Sequence, residues 1–226
     1  MRTLLGIDEA GRGAVVGPLV IGGVVIEETD EKKLKEMGAK DSKLLTPLQR
    51  EKLEIKIKAV VKDFVLIKIS AQQIDEMRAA KKNLNRIEAE KMAEIIKVFG
   101  PDTAVVDAPQ VSTEKFKAYL LAMAKNHTKI IAENYADKNW PVVSAASILA
   151  KVERDREIEQ IKKLVGVNFG VGYPHDSRTI EFVKKCLKEK KNLEWIRHSW
   201  ETVRELKGKK KQKGLTDFTI GKEKEE

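Results

Sequence analysis

The sequence predicts an α/β fold in which a mixed sheet of about five strands is flanked by helices. Two observations support this prediction. Short apolar segments with strand-like composition first follow one another directly and later alternate with longer segments of helical periodicity. The 226 residues are 42% hydrophobic, which is enough apolar material for a substantial core. We therefore expect one medium-sized domain with additions at its C-terminal end.

The predicted strands are short apolar runs that end at glycine, proline or polar residues. The first contains Leu4 and Leu5 and ends at Asp8-Glu9, and the second is rich in Val, Ile and Gly after a tight turn. In chain order, strands are predicted at residues 4–7, 15–26, 63–69, 103–106 and 129–132. The early strands are close enough in sequence to form a meander, whereas helices separate the later ones.

Capping signals delimit the predicted helices. Thr46 followed by Pro47 is a favourable helix start, and Ser70 with Gln73 has the capping-box pattern. Ser112 is the predicted cap of a later helix. Helices are predicted over residues 46–61, from 70 onward, and over 84–99, 112–125, 144–164 and 176–190.

The composition changes after Leu206, where Lys, Glu, Gly and Gln replace most apolar residues. We predict a main domain over residues 1–175, a helical C-terminal extension over 176–206 and a flexible basic tail over 207–226. The sequence contains no internal repeats.

The chain is strongly basic, with a formal net charge of +9 and a pI of about 9.4. A basic chain attracts polyanions, and nucleic acid is the commonest large one. Five lysines between Lys207 and Lys213 supply part of this charge. A basic tail on an otherwise neutral protein is therefore the alternative interpretation.

Cysteine usage and hydropathy indicate the compartment. Cys186 is the only cysteine, so an internal disulfide is excluded and a reducing environment fits. The longest uncharged run, residues 14–26, is too short to span a bilayer and is interrupted by glycine and proline. Asp8 and Glu9 stand where a signal peptide would need apolar residues. We expect a soluble, cytoplasmic protein that makes no membrane contact.

Acidic residues stand at the predicted strand ends. Asp8 and Glu9 follow the first strand, Asp107 follows the fourth, and Asp137 lies in a polar loop before the long helix. Since open α/β sheets place their sites at the carboxyl ends of strands, these acids are candidates for one cleft. A single acid at a strand end is more often a helix cap or a turn residue, but the contiguous Asp8-Glu9 in a glycine-rich context favours a site.

Clustered carboxylates predict a cation. Packed together, they would repel one another and raise each other's pKa values, and divalent ions remove that cost. Oxygen ligands without His or Cys favour Mg²⁺ or Mn²⁺ over zinc. Two such ions about 4 Å apart can activate a water and stabilise a leaving oxygen in phosphodiester cleavage.

Several long segments resemble the ribonuclease HII family, archaeal type. They are residues 6–13 (GIDEAGRG) with 17–20, 41–43 (DSK), 136–137, 141–152 (PVVSAASILAKV) with Arg154-Asp155, and 170–174 (GVGYP). These segments are spread over residues 6–174 in the family's order, which is far more specific than one short motif.

The resemblance implies a ribonuclease H-like catalytic domain that cleaves the RNA strand of RNA–DNA hybrids. It also implies cleavage at ribonucleotides embedded in duplex DNA, leaving a 3′-hydroxyl and a 5′-phosphate, in DNA replication and ribonucleotide excision repair. Carried over by motif, the catalytic and metal-binding acids are Asp8, Glu9, Asp107 and Asp137. Asp8 is the expected ligand bridging two ions, and a monomer is expected.

The resemblance also implies a set of substrate-binding residues. Gly11 and Gly13 would let backbone groups approach the 2′-hydroxyl that distinguishes RNA from DNA, Arg12 could pair with a phosphate, and Tyr173 would pack on the sugar. Further candidates for phosphate contacts are Asp41, Ser42, Lys43, Ser144, Ser147 and Lys151. Plain alternatives exist: the glycines could only form a tight turn, the serines could cap helices, and Lys151 could pair with a nearby acid.

The tail carries a pattern that resembles the interaction box of proteins that bind a PCNA-type sliding clamp. Gln212, Leu215 and Phe218 fit this pattern, whereas Thr219 stands where a second aromatic residue is usual. One helical turn would place the leucine and the phenylalanine on one face, ready for a hydrophobic pocket.

Two other functions compete with a hybrid-specific nuclease. A non-catalytic nucleic-acid-binding protein would use the same basic surface but would have no need for four acids in one cleft. Another two-metal nuclease, such as a junction resolvase, would share the acids but not the segment Gly11–Gly13 or the loop with Tyr173. The sequence therefore favours the hybrid-specific nuclease.

Overall fold

The computed structural model describes residues 1–38, 45–109, 112–125 and 127–212, with side chains described as far as Gly208. Its sheet has five strands in the order β3-β2-β1-β4-β5. The strands are β1 (Thr3–Ala10), β2 (Leu19–Glu27), β3 (Asp63–Ile69), β4 (Thr103–Asp107) and β5 (Lys129–Glu133). β1, β2 and β3 form an antiparallel meander, whereas β4 and β5 continue the sheet in parallel with β1. The predicted mixed five-stranded sheet is confirmed.

The described helices include those with predicted caps, which have Thr46, Ser70 and Ser112 as N-caps as expected, and three whose bounds were not predicted. They are α1 (Glu31–Glu36), α2 (Pro47–Val60), α3 (Ala71–Ala79), α4 (Leu84–Phe99), α5 (Thr113–Ala124), α6 (Ala136–Asn139), α7 (Pro141–Val165), α8 (Ser177–Glu189) and α9 (Glu201–Gln212). Capping boxes form at Thr46 with Gln49 and at Ser70 with Gln73. Within the described ranges, every helix is too short or too polar to cross a membrane.

The sheet is covered on both faces because neighbouring residues of a strand point to opposite sides. Leu5 belongs to one buried cluster, which α4 and α5 complete, and Leu4 belongs to the other, which α2 and α7 complete. A third cluster packs α8 and α9 against the end of α7 and includes Val15 and Val16. The C-terminal extension is thus joined to the sheet domain through a shared apolar core.

Helix α7 lies directly on the central strands because two glycines allow close approach. A Cβ placed on Gly22 of β2 would lie 2.7 Å from the carbonyl oxygen of Ala146, well inside van der Waals contact. A Cβ on Gly6 of β1 would meet the backbone of Val142 and Val143. These contacts fix the height of α7 above the strand that carries Asp8.

Four boundaries differ from the sequence prediction. Asp8 and Glu9 lie inside β1 rather than after it. β2 begins at residue 19, because residues 15 and 16 pair with the C-terminal part of the chain instead of extending the strand. Asp137 lies in the short helix α6, not in a loop, and α7 begins at Pro141.

The predicted boundary at residue 207 falls inside a helix. α9 continues to Gln212, so the first six residues of the predicted tail are helical. Lys and Gln are good helix formers, and a segment rich in them can extend a helix that already has an apolar anchor. Leu215 and Phe218 lie outside the described residues.

The close approach of α7 predicts the effect of one substitution. Gly22→Ala should lower the free energy of unfolding by about 1 to 3 kcal/mol, because the new methyl group meets a backbone carbonyl that cannot rotate away. Chemical denaturation measures this change. Gly208→Ala is the matched control: its Cβ meets no described atom within 4 Å and lies in a helix, where alanine is favoured. Equal stability of Gly22→Ala and wild type would contradict the account.

Candidate active site

Asp8 and Asp107 are neighbours because their strands are parallel and in register. Ile7 pairs with Val106, so the next residue of each strand lies at the same edge of the sheet. Asp137 is brought to this edge by α6, which packs against β4 and α7. These three acids and Glu9 line one cleft of about 1170 Å³. The structure thus brings the four predicted acids together.

Burial and mutual repulsion act on the two acids of β1. Asp8 is 5% exposed. Burial raises the pKa of Asp8, and the charge of Asp137 raises it further, while Lys151 and the Ser147 hydroxyl act in the opposite direction. Burial also raises the pKa of Glu9 well above its usual value, with further contributions from Glu88, Asp8 and Asp107. The acids lie close enough to repel one another electrostatically.

Helix α7 supplies polar partners to Asp8. Lys151 Nζ donates to Ser147 Oγ at 2.5 Å, and the Ser147 hydroxyl hydrogen-bonds to Asp8. Asp8 Oδ1 also accepts from the backbone amide of Glu9 at 2.7 Å. A lysine and a serine one turn apart on α7 therefore stabilise the charged form of the buried carboxylate.

The donor set fits a hard divalent cation. Every acidic ligand candidate offers carboxylate oxygens, and Glu9 Oε2 is buried without a hydrogen-bond partner among the described residues. No three described carboxylates, imidazoles or thiols converge on one point closely enough to hold an ion as they stand. The four acids line one cleft, but their carboxylate oxygens do not surround a single point.

The segment Gly11–Gly13 forms a tight turn beside the acids. Gly11 has a φ of +85°, and a Cβ there would lie 2.6 Å from the Pro18 carbonyl, so a larger residue does not fit. Arg12 is directed toward α4, where Nε donates to Glu88 Oε1 at 2.8 Å and Nη2 donates to Asn85 Oδ1 at 2.5 Å. In this state Arg12 anchors the turn, and its contact with a phosphate stays a prediction.

Arg197 supports the same turn from inside the protein. It is fully buried, and its Nε and Nη1 donate to the carbonyls of Gly17 and Arg12, each at 3.0 Å. Its guanidinium lies over the Trp200 ring at 4.9 Å. Burial, and secondly the charge of Arg154, lower the pKa of Arg197 to about 9.

Tyr173 lines the cleft across from this turn. The backbone amides of Val15 and Val16 donate to the carbonyl of Gly172, at 2.8 and 3.1 Å, which ties the two loops together. The Tyr173 ring stacks with His175 at 5.6 Å between centroids. These hydrogen bonds join the loop of Tyr173 to Val15 and Val16, which follow closely after the segment Gly11–Gly13.

The remaining predicted residues divide into two groups. Ser144 and Ser147 are fully buried in α7, where Ser147 hydrogen-bonds to Asp8, and Lys151 lines the cleft; contacts of these three residues with a phosphate stay predictions. The other predicted residues, namely Asp41, Ser42, Lys43 and the clamp-motif residues Leu215 and Phe218, lie outside the described residues, as does the side chain of Gln212.

Sequence reasoning missed four side chains that organise the site. Glu88 and Arg197 anchor the glycine turn, and Arg154 and His175 contact Tyr173. Arg154 lies in one of the segments that resemble the family, but no role was predicted for it. Glu88 lies on a predicted helix and Arg197 on an irregular segment, and both are far in sequence from the turn that they anchor. No local pattern reveals such partners, because the contacts join distant parts of the chain.

The chain is similar to known proteins over most of its length. A family model described as ribonuclease HII matches residues 5–203. Ribonuclease HII of Pyrococcus horikoshii is 41% identical over 214 residues, which are 93% of this chain and 96% of that protein.

Solved structures show the same fold. The crystal structure of ribonuclease H2 from Pyrococcus horikoshii OT3 aligns with a TM-score of 0.85 at 40% identity, covering 93% of this chain and 99% of that chain. A PCNA:RNase HII complex from Archaeoglobus fulgidus aligns with a TM-score of 0.81 at 41% identity, covering 88% of this chain and 95% of that chain.

The buried role of Arg197 predicts a large loss of stability on a conservative substitution. Arg197→Lys should lower the free energy of unfolding by about 2 kcal/mol, because one ammonium nitrogen cannot occupy both positions from which Nε and Nη1 donate and loses the planar contact with Trp200. Chemical denaturation measures the loss, and Arg204→Lys on the exposed side of α9 is the control, with an expected change within about 0.5 kcal/mol. Similar values for the two variants would contradict the assigned role.

Proposed function

The chain belongs to the ribonuclease HII family and is a type 2 ribonuclease H, and on that premise we propose a specific activity for its cleft. The family and the fold support cleavage of the RNA strand of RNA–DNA hybrids. We propose in addition that the enzyme cleaves at single ribonucleotides embedded in duplex DNA, leaving a 3′-hydroxyl and a 5′-phosphate. DNA replication and ribonucleotide excision repair are the processes that need this reaction.

The observation that carries this proposal is the position of the acids next to the glycine turn. One cleft is lined by the acids, by Gly11–Gly13 and by Tyr173. A scissile phosphate placed at the acids would therefore have a ribose within reach of the turn and the tyrosine. Such an arrangement allows the 2′-hydroxyl to be read at the site of cleavage.

We propose that the four acids bind two Mg²⁺ or Mn²⁺ ions, with Asp8 as the shared ligand. When bound, the ions supply Lewis-acid activation of water and stabilisation of the leaving oxygen. Burial is the main cause of the raised pKa values of Asp8 and Glu9, and a bound divalent cation would oppose it by favouring the charged carboxylates. Asp107 Oδ1 accepts from the Ala136 amide at 3.1 Å, which orients this acid toward the same edge of the sheet.

Substrate discrimination is assigned to the backbone of the glycine turn and to Tyr173. Gly13 has open space where a Cβ would stand, as judged from the described atoms, so a sugar can approach the backbone closely. Lys151 lines the cleft beside the acids, where its positive charge can face a phosphate. Contacts from Asp41, Ser42 and Lys43 remain predictions, as do cytoplasmic localisation and the monomeric state.

The proposed activity predicts which duplexes are cut. With Mg²⁺ present, a DNA duplex containing one ribonucleotide should be cleaved at that residue, whereas the identical all-DNA duplex should stay intact. Gel analysis of end-labelled strands identifies the cleaved bond and its terminal groups. The Asp8→Asn protein is the control and should bind the duplex without cutting it, because it keeps the fold but loses the central carboxylate.

The outcomes separate the competing functions. Cutting of both duplexes would indicate a different two-metal nuclease, and binding without cutting by the wild type would indicate a non-catalytic binding protein. Loss of binding in Asp8→Asn, accompanied by a lower unfolding temperature, would point to misfolding instead.

We also propose that the tail binds a PCNA-type sliding clamp through Gln212, Leu215 and Phe218. The Archaeoglobus fulgidus relative has been solved as a PCNA:RNase HII complex. In this chain, α9 ends at Gln212, so the proposed motif begins where the described structure stops. Leucine and phenylalanine three residues apart suit a hydrophobic pocket on a partner.

This proposal predicts the outcome of a clamp-binding experiment. A Leu215→Ala/Phe218→Ala protein should no longer co-elute with the clamp in gel filtration, because both apolar anchors are gone. Cleavage of a short hybrid without the clamp should not change, since the catalytic cleft is untouched. A double variant that co-elutes as well as wild type would show that the motif is not used.

A further inference from the structure

Arg154 of α7 connects the two loops that are assigned to ribose recognition. It is 4% exposed and lines the catalytic cleft. Its guanidinium carbon lies 4.6 Å from the centroid of the Tyr173 ring, within the range of a cation–π interaction. The same guanidinium donates a hydrogen bond from Nη2 to the carbonyl of Val171, two residues before the tyrosine. Arg154 thus holds both the ring and the backbone of this loop.

The side chain also lies against the glycine turn. A Cβ on Gly11 would be 3.3 Å from Arg154 Cγ, and a Cβ on Gly172 would be 2.9 Å from Nη2. A side chain at position 172 would therefore displace the guanidinium, and one at position 11 would press on the arginine stem. The absence of a Cβ at these two glycines leaves room for the Arg154 side chain, whose stem lies beside Gly11 and whose guanidinium lies beside Gly172.

The charge of Arg154 is available to the ring. In the described ranges, its ion pair is with Asp155 at 3.4 Å, and that carboxylate is 40% exposed and also pairs with Arg50 at 2.9 Å. Nε is buried and has no hydrogen-bond partner among the described residues. Since the guanidinium is only weakly compensated by a shared acid, its attraction to the face of Tyr173 is little reduced.

We propose that Arg154 is a positioning residue for ribose recognition, acting through Tyr173. It fixes the plane of the Tyr173 ring relative to the segment Gly11–Gly13, so that the ring and the turn meet the same sugar. The proposal rests on the proposed function of these two loops. Discrimination between ribose and deoxyribose then depends on the buried guanidinium of Arg154, which lies against the Tyr173 ring and does not itself touch the substrate.

The test is a double-mutant cycle between Arg154 and Tyr173. Arg154→Gln keeps a planar donor for the Val171 carbonyl but removes the charge, and Arg154→Met removes both. Each is made in the wild-type and in the Tyr173→Ala background, with Arg204→Gln as an exposed control. Single-turnover cleavage of a duplex with one ribonucleotide gives the rate at saturation and the half-saturating concentration, and thermal unfolding identifies variants that do not fold.

We expect Arg154→Gln to lower the saturated rate on the order of tenfold, with little change in the half-saturating concentration, because ring placement matters in the transition state. In the Tyr173→Ala background the same substitution should change the rate by less than about twofold, since the partner is gone. Arg204→Gln should behave as wild type.

Equal losses in both backgrounds would overturn the proposal, because Arg154 would then act through its charge or through the fold. An unchanged rate in a folded Arg154→Gln protein would overturn it as well. Failure of the wild type to cut the single-ribonucleotide duplex would contradict the proposed function instead. The cycle would then be measured on a continuous RNA–DNA hybrid, where coupling between the two residues still decides the inference.

Discussion

Burial of the Asp8 carboxylate beneath helix α7 is the constraint on which the site depends. A charged group in this position is costly unless partners compensate it, and the other acids of the cleft add repulsion. Ser147 and Lys151 of helix α7 offset part of this cost. They reach Asp8 because Gly6 and Gly22 let the helix approach the strands closely. The remaining cost favours binding of a cation, because divalent ions reverse the preference for the neutral carboxyl group.

The same helix links catalysis to recognition. One turn after Lys151, α7 presents Arg154 to the loop of Tyr173, and farther along it packs against the C-terminal extension. That extension returns Arg197 to the carbonyls of the glycine turn. Under the proposed function, the C-terminal extension would contribute to ribose recognition, since Arg197 holds the backbone of the turn to which that role is assigned.

The sheet, most helices and the position of the four acids in one cleft were predictable, because the elements follow from local patterns and the acids from the resemblance to a family. Caps such as Thr46 and Ser70 define helix starts, and Asp107 after an apolar run marks the end of β4. The predicted start of β2 was wrong because a distant segment takes the backbone hydrogen bonds there. Val15 and Val16 pair with the C-terminal region and do not extend the strand. The partners of the glycine turn were not predictable for the same reason, as Glu88 and Arg197 are far from it in sequence.

Anomalous scattering from a crystal soaked in Mn²⁺ tests most directly whether the converging acids hold metal. Data collected at the manganese absorption edge should show a peak in the cleft, ligated by Asp8 and by at least one of Glu9, Asp107 and Asp137. A crystal of the Asp8→Asn protein soaked in the same way should lose or weaken this peak. An ordered cleft without anomalous density, or a peak bound only by other side chains, would contradict the account.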